Sequence, residues 1–192
     1  MSQQIEIEFK TMLTETEFNQ LLARLPFPKE PIMQTNYYFE TEDFLLKRNK
    51  SALRIREKFN RYQLTLKEPH PEGTLETSDW LTLEEAKAWL EGSPYPIGKE
   101  AVHQRLKKLG INEKMLKLFG HLTTERYVYE MDKVSLMLDK SSYHDIVDYE
   151  LEVEAMSKEA GLSALQSLLE QEKIVERKAK TKIERFFQSL KH

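Results

Sequence analysis

Two short segments, far apart in the chain, carry acidic residues at every second position. The first places Glu6 and Glu8 just before Lys10, and the second contains Glu150, Glu152 and Glu154. A period of two is that of a β-strand, so each row lies on one face with its carboxylates roughly 6–7 Å apart. Carboxylates this close repel one another unless a cation or a basic partner holds them. The two rows therefore predict a site for a divalent metal ion.

Five predicted strands separate charged from apolar residues in the same way. On the segment 52–59, Arg54 and Arg56 alternate with Leu53 and Ile55. The other four segments are 61–68, 121–131, 133–140 and 143–155. One interpretation is an ordinary sheet with its charged face in water. The alternative is a sheet closed into a tunnel, with a charged lumen and an apolar outer face covered by helices.

The tunnel interpretation has a chemical consequence. Buried charges cost several kcal/mol each unless they are paired or bound to a metal or ligand. A lumen lined by both signs of charge therefore suits a ligand that carries both, namely a polyanion with its divalent cation. Side chains of Arg54 and Glu150 on opposite outward surfaces would contradict this interpretation.

The order of predicted elements is that of an α+β fold in one domain, residues 1–192. Thr14 and Glu17 predict the start of a helix, and Thr82 predicts another. A helical insertion is expected at 82–119, with its last short helix at Met115–Phe119, and C-terminal helices at 157–190, the last from about Arg177. The eight expected strands, mostly antiparallel, are 3–10, 33–40, 52–59, 61–68, 73–81, 121–131, 133–140 and 143–155.

Composition excludes several classes of protein. The formal net charge of −3 over 192 residues argues against a nucleic-acid-binding protein. The chain has no cysteine, which excludes thiolate metal ligands and fits the cytoplasm. No apolar run is long enough for a signal peptide or a membrane span, and no glycine-rich phosphate loop is present. Trp80 and Trp89 are interpreted as packing residues of the insertion.

The ordered motifs resemble the CYTH superfamily, also called triphosphate tunnel metalloenzymes. The resemblance begins with Glu6-x-Glu8-x-Lys10 and extends over nearly the whole chain. The further matching motifs are Asn36-Tyr37-Tyr38-Phe39, Leu53-Arg54-Ile55-Arg56, Leu64-Thr65-Leu66-Lys67, Arg126, Asp139 and the acidic strand Glu150 to Glu154. The C-terminal segment from Lys178 to Phe186 resembles the basic tail of Bacillus-type members.

The resemblance implies an eight-stranded antiparallel tunnel that binds a triphosphate with Mg²⁺ or Mn²⁺. The metal ligands that it implies are Glu6, Glu8, Asp139 and acids from the row Glu150, Glu152 and Glu154. The catalytic group would be Glu6, Glu8, Lys10 and Asp139. The triphosphate would be bound by Lys10, Arg54, Arg56, Lys67, Arg126, Lys180 and Lys182. Mg²⁺ prefers carboxylate and phosphate oxygens, and arginine grips phosphate bidentately, so the chemistry agrees.

Several alternatives stay open at the level of sequence. Glu150 and Glu152 match the family best, but the third acid leaves the register uncertain by two residues. Asp139 either completes the metal shell and orients a water or is a turn residue, and one of Lys180 and Lys182 closes the tunnel mouth. The favoured function is metal-dependent hydrolysis of inorganic, thiamine or nucleoside triphosphate, by a monomer or homodimer. A class IV-type adenylate cyclase, a non-catalytic polyphosphate or nucleotide sensor, and an ordinary partner protein are the alternatives.

Overall fold

The structure is a computed structural model, and it describes residues 2–93 and 100–190. The chain divides into two compact units. Unit 1 comprises Met1–Ile5 and Gln34–Leu122, and unit 2 comprises Glu6–Met33 and Thr123–His192. The single domain expected for residues 1–192 stays a prediction, and the part of the expected insertion at 94–99 lies outside the described residues.

Nine strands are assigned within the described residues, one more than the eight expected. They are β1 (Ser2–Glu6), β2 (Glu8–Leu13), β3 (Ile32–Thr41), β4 (Ala52–Lys58), β5 (Arg61–His70), β6 (Gly73–Leu81), β7 (Leu116–Glu130), β8 (Val134–Tyr143) and β9 (Ile146–Ala155). The extra strand arises because the expected strand at 3–10 is interrupted at Ile7. Its two parts pair with different strands, β1 with β6 and β2 with β9.

The helices follow the same order along the chain. They are α1 (Glu15–Arg24), α2 (Leu45–Arg48), α3 (Leu83–Leu90), α4 (Glu100–Lys108), α5 (Lys158–Glu172) and α6 (Lys182–Ser189). The combination of antiparallel strands and helices confirms the α+β class. No helix within residues 2–93 and 100–190 has both the length and the apolar character needed to span a membrane.

Unit 1 has its own hydrophobic core. Its strands follow the order β1-β6-β5-β4-β3. The alternation on β4 places Leu53 and Ile55 on the face that packs against α3 and α4, where Trp89 and Val102 are also buried. This arrangement leaves the opposite face of these strands to the polar residues, as the alternation predicted. Trp89 is buried as expected, whereas Trp80 is 48% exposed, so the interpretation of Trp80 as a packing residue is wrong.

Unit 2 is built in the same way around a second core. Leu138 and Leu151 of neighbouring strands β8 and β9 pack with Leu21 of α1 and Leu165 of α5. Helix α5 lies close to β2 because Gly161 carries no side chain there. A β-carbon at Gly161 would meet the ring of Phe9 at 2.6 Å.

Local capping chemistry sets where the helices begin. Thr14 accepts a hydrogen bond from the Glu17 amide, and the Glu17 carboxylate accepts one from the Thr14 amide, at 3.2 and 2.7 Å. This capping box confirms the predicted start of α1, and an equivalent box at Thr82 confirms the start of α3.

Two expected helix boundaries are wrong. The segment after Met115 is not helical, because a short 3₁₀ turn at Glu113–Met115 leads directly into β7. The last helix begins at Lys182 and not at Arg177. Its start is fixed by the capping box of Thr181, and the preceding segment is extended because the Arg177 amide donates to Thr11 of β2 at 2.8 Å.

Candidate metal and phosphate site

Part of the first acidic row and the whole of the second lie on neighbouring strands: Glu8 belongs to β2, next to β9, whereas Glu6 ends β1. Antiparallel pairing of β2 with β9 places Glu8 opposite Glu154 and Lys10 opposite Glu152. Strand β9 also pairs with β8, where Asp139 lies opposite Glu150. The register of three strands thus brings together acids that are more than 130 residues apart in sequence.

Three of these acids form a buried cluster in unit 2. Asp139 and Glu150 have no exposed surface, and Glu152 is 5% exposed. One carboxylate oxygen from each lies within 4.8 Å of the other two. Three carboxylates at this separation demand compensating positive charge. Of the second acidic row, the structure therefore groups Glu150 and Glu152 with Asp139, and Glu154 is less deeply buried.

Arg126 supplies part of that positive charge. It lies opposite Asp139 in the pairing of β7 with β8. Its Nε and Nη2 donate to the two Asp139 oxygens at 2.7 and 2.5 Å, and Nη2 also donates to Glu152. Burial would lower the pKa of Arg126, but Asp139 and Glu152 raise it well above its ordinary value. Arg126 is therefore a fixed cation.

The ammonium of Lys182 lies among all three carboxylates. Its Nζ is 2.7 Å from Asp139 and 2.9 Å from Glu152, and it also contacts Glu150. Burial lowers the pKa of Lys182 to about 7, although Asp139 acts in the opposite direction. For Asp139, burial would raise the pKa, but Lys182 and then Arg126 hold it below the ordinary value.

A second basic residue of α6 joins the cluster. Arg185 lies one helical turn after Lys182, so both side chains leave the same face of α6. Its Nη1 is 2.8 Å from Glu150, and its Nε donates to Asp148 at 2.7 Å. Tyr143 donates its hydroxyl hydrogen to the same Asp148 at 2.7 Å. Arg185 thereby attaches helix α6 to strand β9.

Lys10 links the acidic row of β2 to the cluster. Its Nζ is 2.7 Å from Glu8 and 3.5 Å from Glu152. Burial lowers the pKa of Lys10, but Glu152 and Glu8 outweigh it and the net shift is upward. Glu6 also raises the pKa of Lys10, by less than Glu152 and Glu8 do.

Unit 1 carries a separate basic cluster. Arg54 and Lys67 share the carboxylate of Glu76, at 3.7 and 2.5 Å. Burial would raise the pKa of Glu76, but Arg54 and Lys67 lower it to about 2. Nearby on the same face, Arg56 donates from Nε to the Asn36 side chain at 2.9 Å. One carboxylate of unit 1 thus binds two basic side chains of the polar face.

The structure separates the two lysines of the tail that sequence reasoning could not rank. Lys180 is exposed and donates to Gln188 at 3.0 Å, whereas Lys182 is 8% exposed and contacts the acids. The reason is the position of the helix start: Lys180 belongs to the extended segment, and Lys182 is the first residue of α6.

Three contributors were missed at the sequence level: Glu76, Asp148 and Arg185. The spacing of three between Lys182 and Arg185 was a usable signal once α6 was assumed to be a helix. For Glu76 no such signal existed, because its place opposite Lys67 depends on the register of β5 with β6.

The donor set of the acidic cluster fits a hard divalent cation. Asp139, Glu150 and Glu152 offer only oxygen, and their mutual distances allow one ion to reach all three. In this structure the Lys182 ammonium provides the positive charge at that position. A metal ion at this point would therefore take the place of Lys182.

Comparison with known proteins gives concordant results. The family model for the CYTH domain matches residues 4–187. The chain is 42% identical over 189 residues to the Bacillus subtilis protein named "Putative triphosphatase YjbK", covering 98% of this chain and 97% of that one.

Solved structures show the same relationship. A putative adenylate cyclase from Bacillus halodurans superposes with a TM-score of 0.92 at 41% identity, over 97% of this chain and all of the other. The Hippeastrum protein HpAC1, described as a putative adenylyl cyclase with a dominant triphosphatase activity, superposes with a TM-score of 0.78 at 26% identity, over 96% of each chain. By its domain match and by these relatives, this chain belongs to the CYTH family.

Proposed function

We propose that the protein is a metal-dependent hydrolase of a triphosphate, which is inorganic triphosphate, thiamine triphosphate or a nucleoside triphosphate. The observation that carries the proposal is the buried cluster of Asp139, Glu150 and Glu152, with the Lys182 ammonium in contact with all three. The relatives named for triphosphatase activity support the same class of reaction. A closed tunnel with a charged lumen, which the family resemblance implies, is part of this proposal.

Asp139, Glu150 and Glu152 would hold the metal, with Glu154 of β9, Glu8 of β2 and Glu6 of β1 as further candidates. When bound, Mg²⁺ or Mn²⁺ would neutralise phosphate charge and lower the barrier to attack by water. No protein nucleophile is required, since phosphoryl transfer depends mainly on positioning and on charge neutralisation.

The basic residues have a distinct task. The Arg126 guanidinium is held in one orientation by Asp139 and Glu152, so its position is fixed before any ligand arrives. Lys10 brings a second positive charge close to Glu152. In unit 1, Arg54 and Lys67 meet at the carboxylate of Glu76. We propose that phosphate oxygens are bound by Lys10, Arg54, Arg56, Lys67, Arg126 and Lys182. Lys180 has at most a peripheral role.

The test is release of phosphate from inorganic triphosphate with Mg²⁺ and then Mn²⁺. Wild type should release phosphate, and Glu8→Ala and Glu152→Gln should each lose at least about 100-fold in kcat, the usual loss when one charge-stabilising group is removed. Glu42→Gln is the matched control, because the Glu42 side chain is 76% exposed. Equal activity of Glu152→Gln and wild type would refute the proposal.

Assays on the same preparation distinguish the proposed hydrolase from a class IV-type cyclase and from a non-catalytic sensor. Cyclic AMP from ATP without free phosphate would identify a cyclase. Tight binding of triphosphate and metal without turnover would identify a sensor. We favour hydrolysis because HpAC1, a solved relative described as an adenylyl cyclase, is reported with a dominant triphosphatase activity.

A further inference from the structure

Strand β8 carries a methionine on its polar face. The alternation places Leu136 and Leu138 in the core of unit 2, so Met137 lies on the opposite face, between Ser135 and Asp139. The Met137 side chain is buried, with 6% of the residue exposed. A buried thioether among polar and charged groups is not explained by the alternation of the strand.

The sulfur of Met137 contacts Arg126. Nη1 of Arg126 donates to Met137 Sδ at 2.9 Å. The other two nitrogens of the guanidinium donate to the carboxylates of Asp139 and Glu152. A guanidinium has five N–H groups. Within the described residues these hydrogen bonds use four of the five, and the remaining N–H belongs to Nη1.

The chemical type of the acceptor decides how much positive charge Arg126 keeps for a ligand. Each carboxylate offsets part of that charge, and two carboxylates already bind the guanidinium. A thioether is a weak acceptor without charge, so it directs an N–H group and leaves the cation attractive to an anion. The Arg126 side chain is 14% exposed, so it is not sealed from a ligand.

We propose that Met137 is a positioning residue for the binding of the triphosphate. This inference rests on the proposed function and deepens it, because it names the group that orients the Nη1 end of Arg126. The Met137 sulfur holds that end of the guanidinium in place and adds no negative charge. A phosphate oxygen then accepts a hydrogen bond from the remaining N–H of Nη1.

A packing role is the alternative explanation. In the sheet, Met137 lies opposite Val128 of β7 and opposite Glu152 of β9, so its side chain would simply fill space next to Val128. The two roles make opposite predictions for substitutions. Leucine conserves the volume of methionine but has no acceptor, whereas glutamine has a neutral acceptor on a polar side chain.

The experiment measures kcat, KM and, by calorimetry, the affinity for inorganic triphosphate with Mg²⁺. Met137→Leu should raise KM about 2- to 12-fold with kcat unchanged, which is the loss of one neutral hydrogen bond used equally in the ground and transition states. Met137→Gln should restore the KM of wild type. Met137→Glu should weaken binding at least about 10-fold, because its carboxylate would repel the phosphates.

Met131→Leu is the matched control. Met131 lies just before the same strand and is 47% exposed, so its replacement should leave KM and kcat as in wild type. Thermal unfolding of each variant separates a loss of fold from a loss of position. Met137→Leu should unfold close to the temperature of wild type, because the exchange conserves volume.

The possible failures are distinguishable. If Met137→Leu binds triphosphate as wild type does, or if a folded Met137→Gln binds no better than Met137→Leu, the positioning role is refuted and the proposed hydrolase stands. If Met137→Gln does not fold, the KM of Met137→Leu decides: a rise supports the role, and the value of wild type refutes it.

Two further results concern the proposed function. If wild type binds triphosphate without hydrolysing it, the hydrolase is refuted, while the affinities of the Met137 variants still test the positioning role. If wild type neither binds nor hydrolyses inorganic triphosphate, thiamine triphosphate or ATP, the proposed function is refuted, and the positioning role with it.

Discussion

Replacement of Lys182 by methionine tests the electrostatic reasoning most directly. Methionine keeps the approximate length of the side chain and removes the ammonium that lies among Asp139, Glu150 and Glu152. The three acids would then share fewer cations: Arg126 still binds Asp139, and Arg185 still binds Glu150. We expect the variant to fold but to be less stable without a divalent metal ion.

The size of the expected loss of stability follows from the burial of Lys182 and Asp139. The Lys182 side chain is 9% exposed and the Asp139 side chain not at all, so solvent screens their interaction little. Removal of one partner from a buried ion pair costs about 3–5 kcal/mol. Because the remaining cations compensate in part, and because burial already lowers the pKa of Lys182 to about 7, we expect the lower end, about 3 kcal/mol. For a chain of this length that corresponds to roughly 6–12 °C in Tm.

The assay is thermal unfolding in chelator and at increasing Mg²⁺ or Mn²⁺. Metal should stabilise Lys182→Met more than wild type, because no ammonium competes for the three carboxylates. Stabilisation follows RT ln(1 + [L]/Kd), which is about 2.7 kcal/mol at a metal concentration 100 times Kd. Lys178→Met is the control, since Lys178 is an exposed lysine in the same tail.

Three results would refute this reasoning. The first is a Lys182→Met protein as stable as wild type in chelator, which would mean that the ammonium does not compensate the acids. The second is equal metal stabilisation of both proteins, which would place the metal away from Lys182. Loss of stability in Lys178→Met to the same degree would show that the effect is one of net charge.

The remaining predictions concern pH and individual charges. The pKa of Glu76 is about 2 when folded, below the ordinary 4.5, so its contribution to stability is present above about pH 4.5 and is lost as pH falls from there towards 2. When Tm is measured at decreasing pH, wild type should lose about 3 kcal/mol of unfolding free energy through this group, and Glu76→Gln should not. Asp139→Asn should lose at least about 100-fold in kcat for triphosphate, while circular dichroism shows it folded. Arg54→Gln should weaken inorganic triphosphate binding about 10- to 100-fold by calorimetry, the worth of a hydrogen bond to a charged group. Arg48→Gln should leave binding unchanged, since the Arg48 side chain is 66% exposed.

Much of the architecture could be predicted from local sequence. Alternation on 52–59 placed Leu53 and Ile55 on the buried face, because a strand permits only two faces. Threonine and glutamate three residues apart fixed the starts of α1 and α3, because a capping box needs only local contacts. The same alternation identified Glu8 and Lys10 as residues of one polar face.

Which charges meet was decided by the tertiary structure. The pairing of β2 with β9 and of β9 with β8 selects Glu150 and Glu152 as the neighbours of Asp139, and a shift of two residues would have preserved every face and chosen another acid. Lys182 was separated from Lys180 only by the point where α6 begins. Sequence thus determined which residues share a face, since that depends on backbone period. Strand register and helix position determined their partners, since those depend on contacts between segments distant in the chain.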